Sequence, residues 1–246
     1  PFTLLISPSM RCNLHCTGCY AAKYDKLNGL TYEEVDRIIG EARDLGVHYI
    51  IVLGGEPFFV DFMYDIYKKY DDILFTPFTN GTLFNNDIAD KLVSLGNVMP
   101  MFSLEGFEKE TDARRGSGTF NKVMEGMDLL KLRGIPFGVS SATSTNNLKT
   151  VTSDEFIDML VKKGSRMNWY FMYMPVGESP NIDNMLKPAE RIELGRLTKK
   201  IRSTKPYFTI DFFNDAPYVG GCIAGKYYCH INSNGDVEPC VFAHIA

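Results

Sequence analysis

The chain has 246 residues, 45% of them hydrophobic and 23% charged, with a formal net charge of −4 and a pI near 5.6. That length suits one α/β barrel, or one domain with a small appendage, and is ample to bury a core; the mild acidity speaks against a nucleic-acid partner, which needs a basic face. There is no run of about 18 apolar residues, so no membrane segment is expected, and no secretory signal is visible in a start that reads PFTLLI.

From the N-terminus, short apolar runs alternate with amphipathic stretches. A strand over FTLLIS leads into SPSMRCNLHCTGCY, a loop by its Pro, Asn and Gly content, which carries Cys12, Cys16 and Cys19. Thr31 and Glu34 form a capping-box pattern ahead of a helix whose buried stripe is Val35, Ile38, Ile39, Ala42 and Leu45, closed by Gly46. A strand over YIIVL runs into GGEP, and a less marked helix spans residues 61–70. The third strand, ILFTPF, is followed by a helix over 87–95 that stops at Gly96; the fourth, NVMPMFSL, by a helix marked by Phe120, Val123, Met127 and Leu130 and closed by Gly134. The fifth, PFGVSSAT, precedes a helix capped by Thr152 and Glu155 and closed by Gly164. The sixth, NWYFMYM, precedes a helix opened by Pro188 and running to about Arg202.

Six such units with short connections predict parallel strands and right-handed crossovers. Six are too few for a closed eight-unit barrel, so the expected fold class is α/β: an open, partial (β/α)6 TIM-like barrel over residues 1–205. After Lys205 the pattern changes to YFTIDFF and then GKYYCHINSNGDVEPCVF, which reads as a hairpin turning at Asn234-Gly235, where both residues can take positive φ. Residues 206–246 are expected to form a separate small β-hairpin element.

The six cysteines fall into two groups, Cys12, Cys16 and Cys19 near one end and Cys222, Cys229 and Cys240 near the other. Six in a chain of this size are too few for a disulfide scaffold, and the clustering suits metal or iron–sulfur ligation in a reducing cytoplasm. On a helix the first three would share a stripe as small buried residues, but the surrounding residues favour a loop. A structural zinc ion would need a fourth ligand, and His15, between Cys12 and Cys16, is poorly placed to close that tetrahedron. A 4Fe–4S cluster held by three thiolates leaves one iron open for a ligand.

Cys-x3-Cys-x2-Cys after the first strand of a βα barrel, with GGEP after the second, resembles the radical S-adenosylmethionine (SAM) superfamily. The resemblance implies that Cys12, Cys16 and Cys19 bind a 4Fe–4S cluster and that Gly54, Gly55 and Glu56 meet the SAM amino group through backbone and carboxylate oxygens. Glycines would let the main chain approach the ligand, and a carboxylate suits an ammonium. FTNGT, with Thr79 and Asn80, and FSLEGF, with Ser103, resemble further family segments; Ser103 is a candidate contact to the methionyl or ribose part, and Arg115 in DARRGSGTF a candidate for the SAM carboxylate. Thr79 and Asn80 either join the cofactor site or shape a turn. The family often carries an aromatic residue before the third cysteine; here Gly18 stands there and Tyr20 follows it, so adenine packing is expected from elsewhere, the YFMYMPVGE segment included.

GCIAGKYYCHINSNGDVEPC resembles the opening of a SPASM or twitch extension, in which cysteines bind auxiliary Fe–S clusters. Cys222 and Cys240 match that pattern. The further cysteines of a complete extension are absent: either the chain is cut short, or Cys229, His230 or His244 fills in, or no auxiliary cluster binds. Cys229 has no counterpart in the pattern and reads as a buried thiol on a hairpin face.

By resemblance, one electron from a donor such as flavodoxin or ferredoxin cleaves SAM to methionine and a 5′-deoxyadenosyl radical, which abstracts a substrate hydrogen. Peptide or protein modification is the first expectation for the substrate, with a tetrapyrrole or other small molecule as the alternative; a non-catalytic zinc- or Fe–S-binding module is the rival outside enzymes. Glu105, Glu178 and Asp215 lie near predicted strand ends, where carboxylates are usually solvated, and no catalytic acid or base stands out.

Overall fold

The computed structural model describes residues 3–23, 28–177 and 179–243. Its strands are β1 (Thr3–Ile6), β2 (Tyr49–Val52), β3 (Leu74–Thr79), β4 (Met101–Ser103), β5 (Gly138–Thr143), β6 (Met167–Met172), β7 (Phe208–Asp211), β8 (Tyr228–Ile231) and β9 (Val237–Glu238). Its helices are α1 (Tyr32–Asp44), α2 (Met63–Lys69), α3 (Asn86–Leu95), α4 (Glu108–Arg115), α5 (Thr119–Leu132), α6 (Leu148–Val151), α7 (Asp154–Lys163), α8 (Pro188–Thr204) and α9 (Phe212–Asp215).

The strands form one nine-stranded sheet in the order β7-β6-β5-β4-β3-β2-β1-β8-β9. All neighbours are parallel except β8 and β9. Among the described residues β7 and β9 do not pair, so the barrel stays open. Successive side chains along each strand take opposite faces. Leu4 and Ile6, Ile50 and Val52, and Tyr170 join the core cluster under the helices. Leu5, Ile51 and Trp169, one residue out of step, form a second cluster with Met101 and Val241. That second face is the one that lines the cavity described below. Burial on both faces is why these strands read as continuous apolar runs.

The helix ends follow local chemistry. Thr31 Oγ1 accepts from the Glu34 N–H at 3.2 Å while Glu34 Oε2 accepts from the Thr31 N–H at 2.8 Å, the reciprocal capping box. Asn85 caps α3 and Gly96 closes it in the left-handed region at φ 75°.

The structure departs from the expectations, or adds to them, at four points. After β4, EKETDARR folds into an additional helix, α4, so polar that Thr111 is its one buried residue. The cap of α7 is Ser153 rather than Thr152, whose hydroxyl donates to Leu148 O at 2.6 Å and ends the extra helix α6. At the hairpin turn Gly235 takes φ 88° while Asn234 stays negative; Asn232 does the shaping, its Oδ1 accepting from the Asn234 and Asp236 N–H groups. The residues after 206 add to the barrel sheet: β7 extends it beside β6, and β8 pairs in parallel with β1, from Thr3 opposite Tyr228 to Ile6 opposite Ile231. The parallel array therefore exceeds six strands.

Candidate active site

The loops after β1, β2, β3 and β6 meet over one open cavity of about 1490 Å³. It lies at the carboxyl ends of the strands, where barrel folds assemble their sites. Cys12, Cys16 and Cys19 all line it. They sit on a loop, not a helix, that ends in a 3-10 turn at Tyr20–Lys23. Gly54, Gly55, Asn80, Ser103 and Arg115 line the same cavity, as do Cys222 and Cys240.

Gly54 and Gly55 serve the cysteine loop directly. The Gly55 N–H donates to Ser9 O at 3.0 Å and the Glu56 N–H to Arg11 O at 2.8 Å, so the segment after β2 is bonded to the residues that lead into Cys12. A side chain on Gly55 would lie 2.5 Å from Met10 O and closer still to Arg11 O; one on Gly54 would collide with Ser9 O. The pair of glycines is required by two backbones in contact, whatever the cavity holds.

Glu56 faces away from the cavity. Its side chain is 1% exposed. Oε1 accepts from Thr79 Oγ1 at 2.7 Å and Phe58 N at 3.2 Å, and Oε2 from Asn80 N at 2.8 Å. Burial pushes the carboxyl up to about 7, against the pull of those three donors. Glu56 thus ties the end of β2 to the end of β3. Thr79, fully buried, belongs to the same knot, whereas Asn80 turns its side chain toward Cys12.

Arg115 is already engaged. It donates through Nε at 2.9 Å and Nη2 at 2.6 Å to Glu105 Oε1, which also accepts from Arg114 Nη1. Glu105 Oε2 takes the Ala142 N–H at 3.1 Å. Glu105 is therefore a buried ion-pair partner and not a solvated carboxylate; burial would raise its pKa, yet the two guanidiniums hold it below the ordinary glutamate value. Arg114 reaches on to Thr17 O at 3.2 Å and Gly18 O at 3.5 Å, while its own carbonyl accepts from the Thr17 N–H at 2.9 Å. The end of α4 thereby staples the stretch between Cys16 and Cys19. Two guanidiniums against one carboxylate leave net positive charge beside those thiols, which opposes the rise that burial imposes on Cys16.

Ser103 is half-buried, its Oγ 3.4 Å from Ser140 Oγ, and both hydroxyls line the cavity. Tyr173 lies directly on Gly18, where an added Cβ would be 2.7 Å from its hydroxyl; Tyr20 stands edge-on to Phe242 at 5.5 Å. The ring against Gly18, the residue before the third cysteine, thus comes from the segment after β6. Asp215 pairs with Arg202. Cys229 is half-buried against the core and outside the cavity lining. Cys240 Sγ accepts from the Tyr228 hydroxyl at 3.5 Å, and Cys222 is exposed. Glu178 and His244 lie outside the described residues. Reading the residues alone missed Arg114 and Ser140, and named the segment that holds Tyr173 without singling it out; Arg114 had a signal, since it adjoins Arg115.

The chemistry of the donors suits an iron–sulfur cluster: three soft thiols on one loop, beside cationic side chains, at a cavity wall. Among the described residues no group of three or more His, Cys, Asp or Glu side chains is placed to hold a metal ion. A cluster that offers each thiolate its own iron does not require such convergence. No helix among the described residues is long and apolar enough to cross a membrane.

The family model described as the radical SAM superfamily matches residues 6–181. The AdoMet-dependent heme synthase of Methanosarcina barkeri is 27% identical over 259 residues, covering 93% of this chain and 73% of that protein. Mycofactocin maturase MftC of Mycobacterium tuberculosis is 25% identical over 256 residues, covering 99% and 65%. In fold, the chain is similar to Streptococcus suis SuiB bound to precursor peptide SuiA, with a TM-score of 0.83 and 22% identity. The match covers 98% of this chain and 60% of that one, so the chain spans less than two thirds of that structure's length.

Proposed function

The chain belongs to the radical SAM superfamily, and on that premise we propose that Cys12, Cys16 and Cys19 hold its 4Fe–4S cluster and that SAM binds in the adjoining cavity. It is a radical SAM enzyme, and its cofactors, when bound, supply reductive cleavage of SAM and abstraction of a substrate hydrogen. One observation carries the assignment of residues: the three-cysteine loop is fixed on both flanks, by Gly55 and Glu56 before Cys12 and by Arg114 between Cys16 and Cys19, and it faces the cavity.

The residues then divide the work. Gly54 and Gly55 seat the cysteine loop against β2. Glu56 and Thr79 brace the ends of β2 and β3 from behind. Ser103 and Ser140 offer hydroxyls to a polar ligand on the cavity wall. Arg114 and Arg115, turned toward Glu105, place positive charge beside the cluster loop and at the wall where the SAM carboxylate would lie. The apolar faces of Phe78, Trp169, Phe171 and Phe212 exclude water from the remainder.

For the substrate we propose a peptide or protein segment. A cavity of about 1490 Å³ has room for a substrate beside SAM, since one small ligand fills roughly 300–1,000 Å³, and its open mouth admits a chain. The maturase relative and the peptide-bound SuiB structure support the reading. The aromatic wall, in which Phe171 and Phe212 stack at 4.8 Å, favours a second reading, a flat tetrapyrrole, in keeping with the heme synthase relative. We assign Cys222 and Cys240 to an auxiliary cluster site in a small element over residues 206–246, and a cytoplasmic flavodoxin or ferredoxin as electron donor.

The test is SAM cleavage by anaerobically reconstituted enzyme with dithionite. Cys16→Ala should abolish methionine release; full turnover by that variant would refute the assignment. A candidate peptide and a candidate iron–porphyrin, each deuterated, then compete as sources of deuterium in 5′-deoxyadenosine, and label from the porphyrin alone would overturn the peptide reading.

A further inference from the structure

Asn80 makes contacts beyond the one that an Asx turn explains. Its side chain belongs to a residue only 6% exposed. Oδ1 accepts from the Thr82 N–H at 2.9 Å and the Thr82 hydroxyl at 2.7 Å. Nδ2 donates to Asn13 Oδ1 at 2.8 Å and to Cys12 Sγ at 3.7 Å. Asn13 Nδ2 closes the ring on Thr82 Oγ1 at 2.7 Å. A backbone N–H can only donate, so the Asn80 atom facing Thr82 N must be the oxygen. The amide cannot be the other way round, and it is the N–H end that meets the sulfur. Cys12 Sγ also accepts from the Leu14 N–H at 3.5 Å.

We propose that Asn80 is a positioning residue that tunes the cluster through Cys12, by aiming an N–H donor of fixed polarity at that sulfur. The proposal rests on Cys12 being a cluster ligand. Hydrogen bonds to ligating sulfurs set iron–sulfur potentials. A donor stabilises the more negative, reduced cluster more than the oxidised one, so it raises the potential and eases arrival of the electron. The ring of Asn13, Asn80 and Thr82 lies on the β1 and β3 loops, so the same contacts hold Cys12 against the end of β3. The backbone N–H of Asn80, bonded to Glu56, is unchanged by any side-chain substitution.

The experiment is a potentiometric titration of the reconstituted holoenzyme, wild type against Asn80→Ser and Asn80→Asp, with iron content measured in parallel. Both variants should keep wild-type iron content and show a midpoint potential shifted to more negative values, further in Asn80→Asp, which sets a carboxylate where the donor was. A potential unchanged or more positive in both overturns the proposal. If the variants take up no cluster, wild-type protein carrying ¹⁵N in its asparagine side chains decides: the reduced cluster should show a hyperfine coupling to an amide nitrogen, and its absence overturns the role of Asn80. Cys12→Ala, if it kept the full cluster spectrum, would sink the ligand assignment itself and this proposal with it.

Discussion

Gly55→Ala isolates the contact on which the cluster loop depends. Gly55 lies outside the left-handed region, so alanine meets no intrinsic backbone strain there. The obstacle is packing: the new methyl would stand 2.5 Å from Met10 O and from Arg11 C, whereas ordinary contact begins at 3.4 Å. All of these atoms are main chain and cannot rotate aside. The loop must retreat by about 1 Å, which is ordinary contact distance restored. Overpacking of that kind costs about 1–3 kcal/mol, and loss of the two backbone bonds to Ser9 O and Arg11 O adds about 1 kcal/mol each. Urea denaturation should show a loss of about 3–5 kcal/mol, and SAM cleavage should fall on the order of 10²-fold, the scale of a 1 Å misplacement. Gly96→Ala is the control: its site is at φ 75° with nothing within 4 Å, so it should cost about 1–2 kcal/mol and leave cleavage intact. Wild-type stability and turnover in Gly55→Ala would refute the argument that these glycines seat the loop.

Two more predictions follow from the charges and the second cysteine group. Glu105→Gln leaves two guanidiniums facing a neutral amide and should destabilise the protein by about 3 kcal/mol at pH 7. Because Glu105 titrates below the ordinary 4.5 in the fold, its contribution is present above that pH and lost as the pH falls through the lower native value; the gap between wild type and variant should close in acid, and a gap constant with pH would contradict the ion-pair account. Cys222→Ser and Cys240→Ser should lower iron content while SAM cleavage persists; unchanged iron in both would remove them from any auxiliary site.

Much of this was legible before the fold was known. The parallel strands announce themselves as apolar runs because both faces are covered, and Thr31, Pro188 and Gly96 mark helix ends through their own local chemistry. Helix α4 was hidden because periodicity needs an apolar stripe, and EKETDARR has none; its role is to carry Arg114 and Arg115 to Glu105. The pairing of β8 with β1 joins residues more than 200 positions apart, and no local pattern encodes it. In the site, the cysteine spacing and the two glycines were visible, but not that the glycines face a second backbone. Nor was it visible that Glu56 turns inward to Thr79 and Asn80. A carboxylate looks the same in a sequence whether it meets a ligand or braces a strand, and only its donors distinguish the two.

The most direct measurement is electron paramagnetic resonance of the anaerobically reconstituted, dithionite-reduced protein with and without SAM. The account predicts a 4Fe–4S signal that depends on Cys12, Cys16 and Cys19 and changes shape when SAM is added, since the ligand binds at the iron those thiols leave open. A signal that SAM leaves unaltered would contradict it.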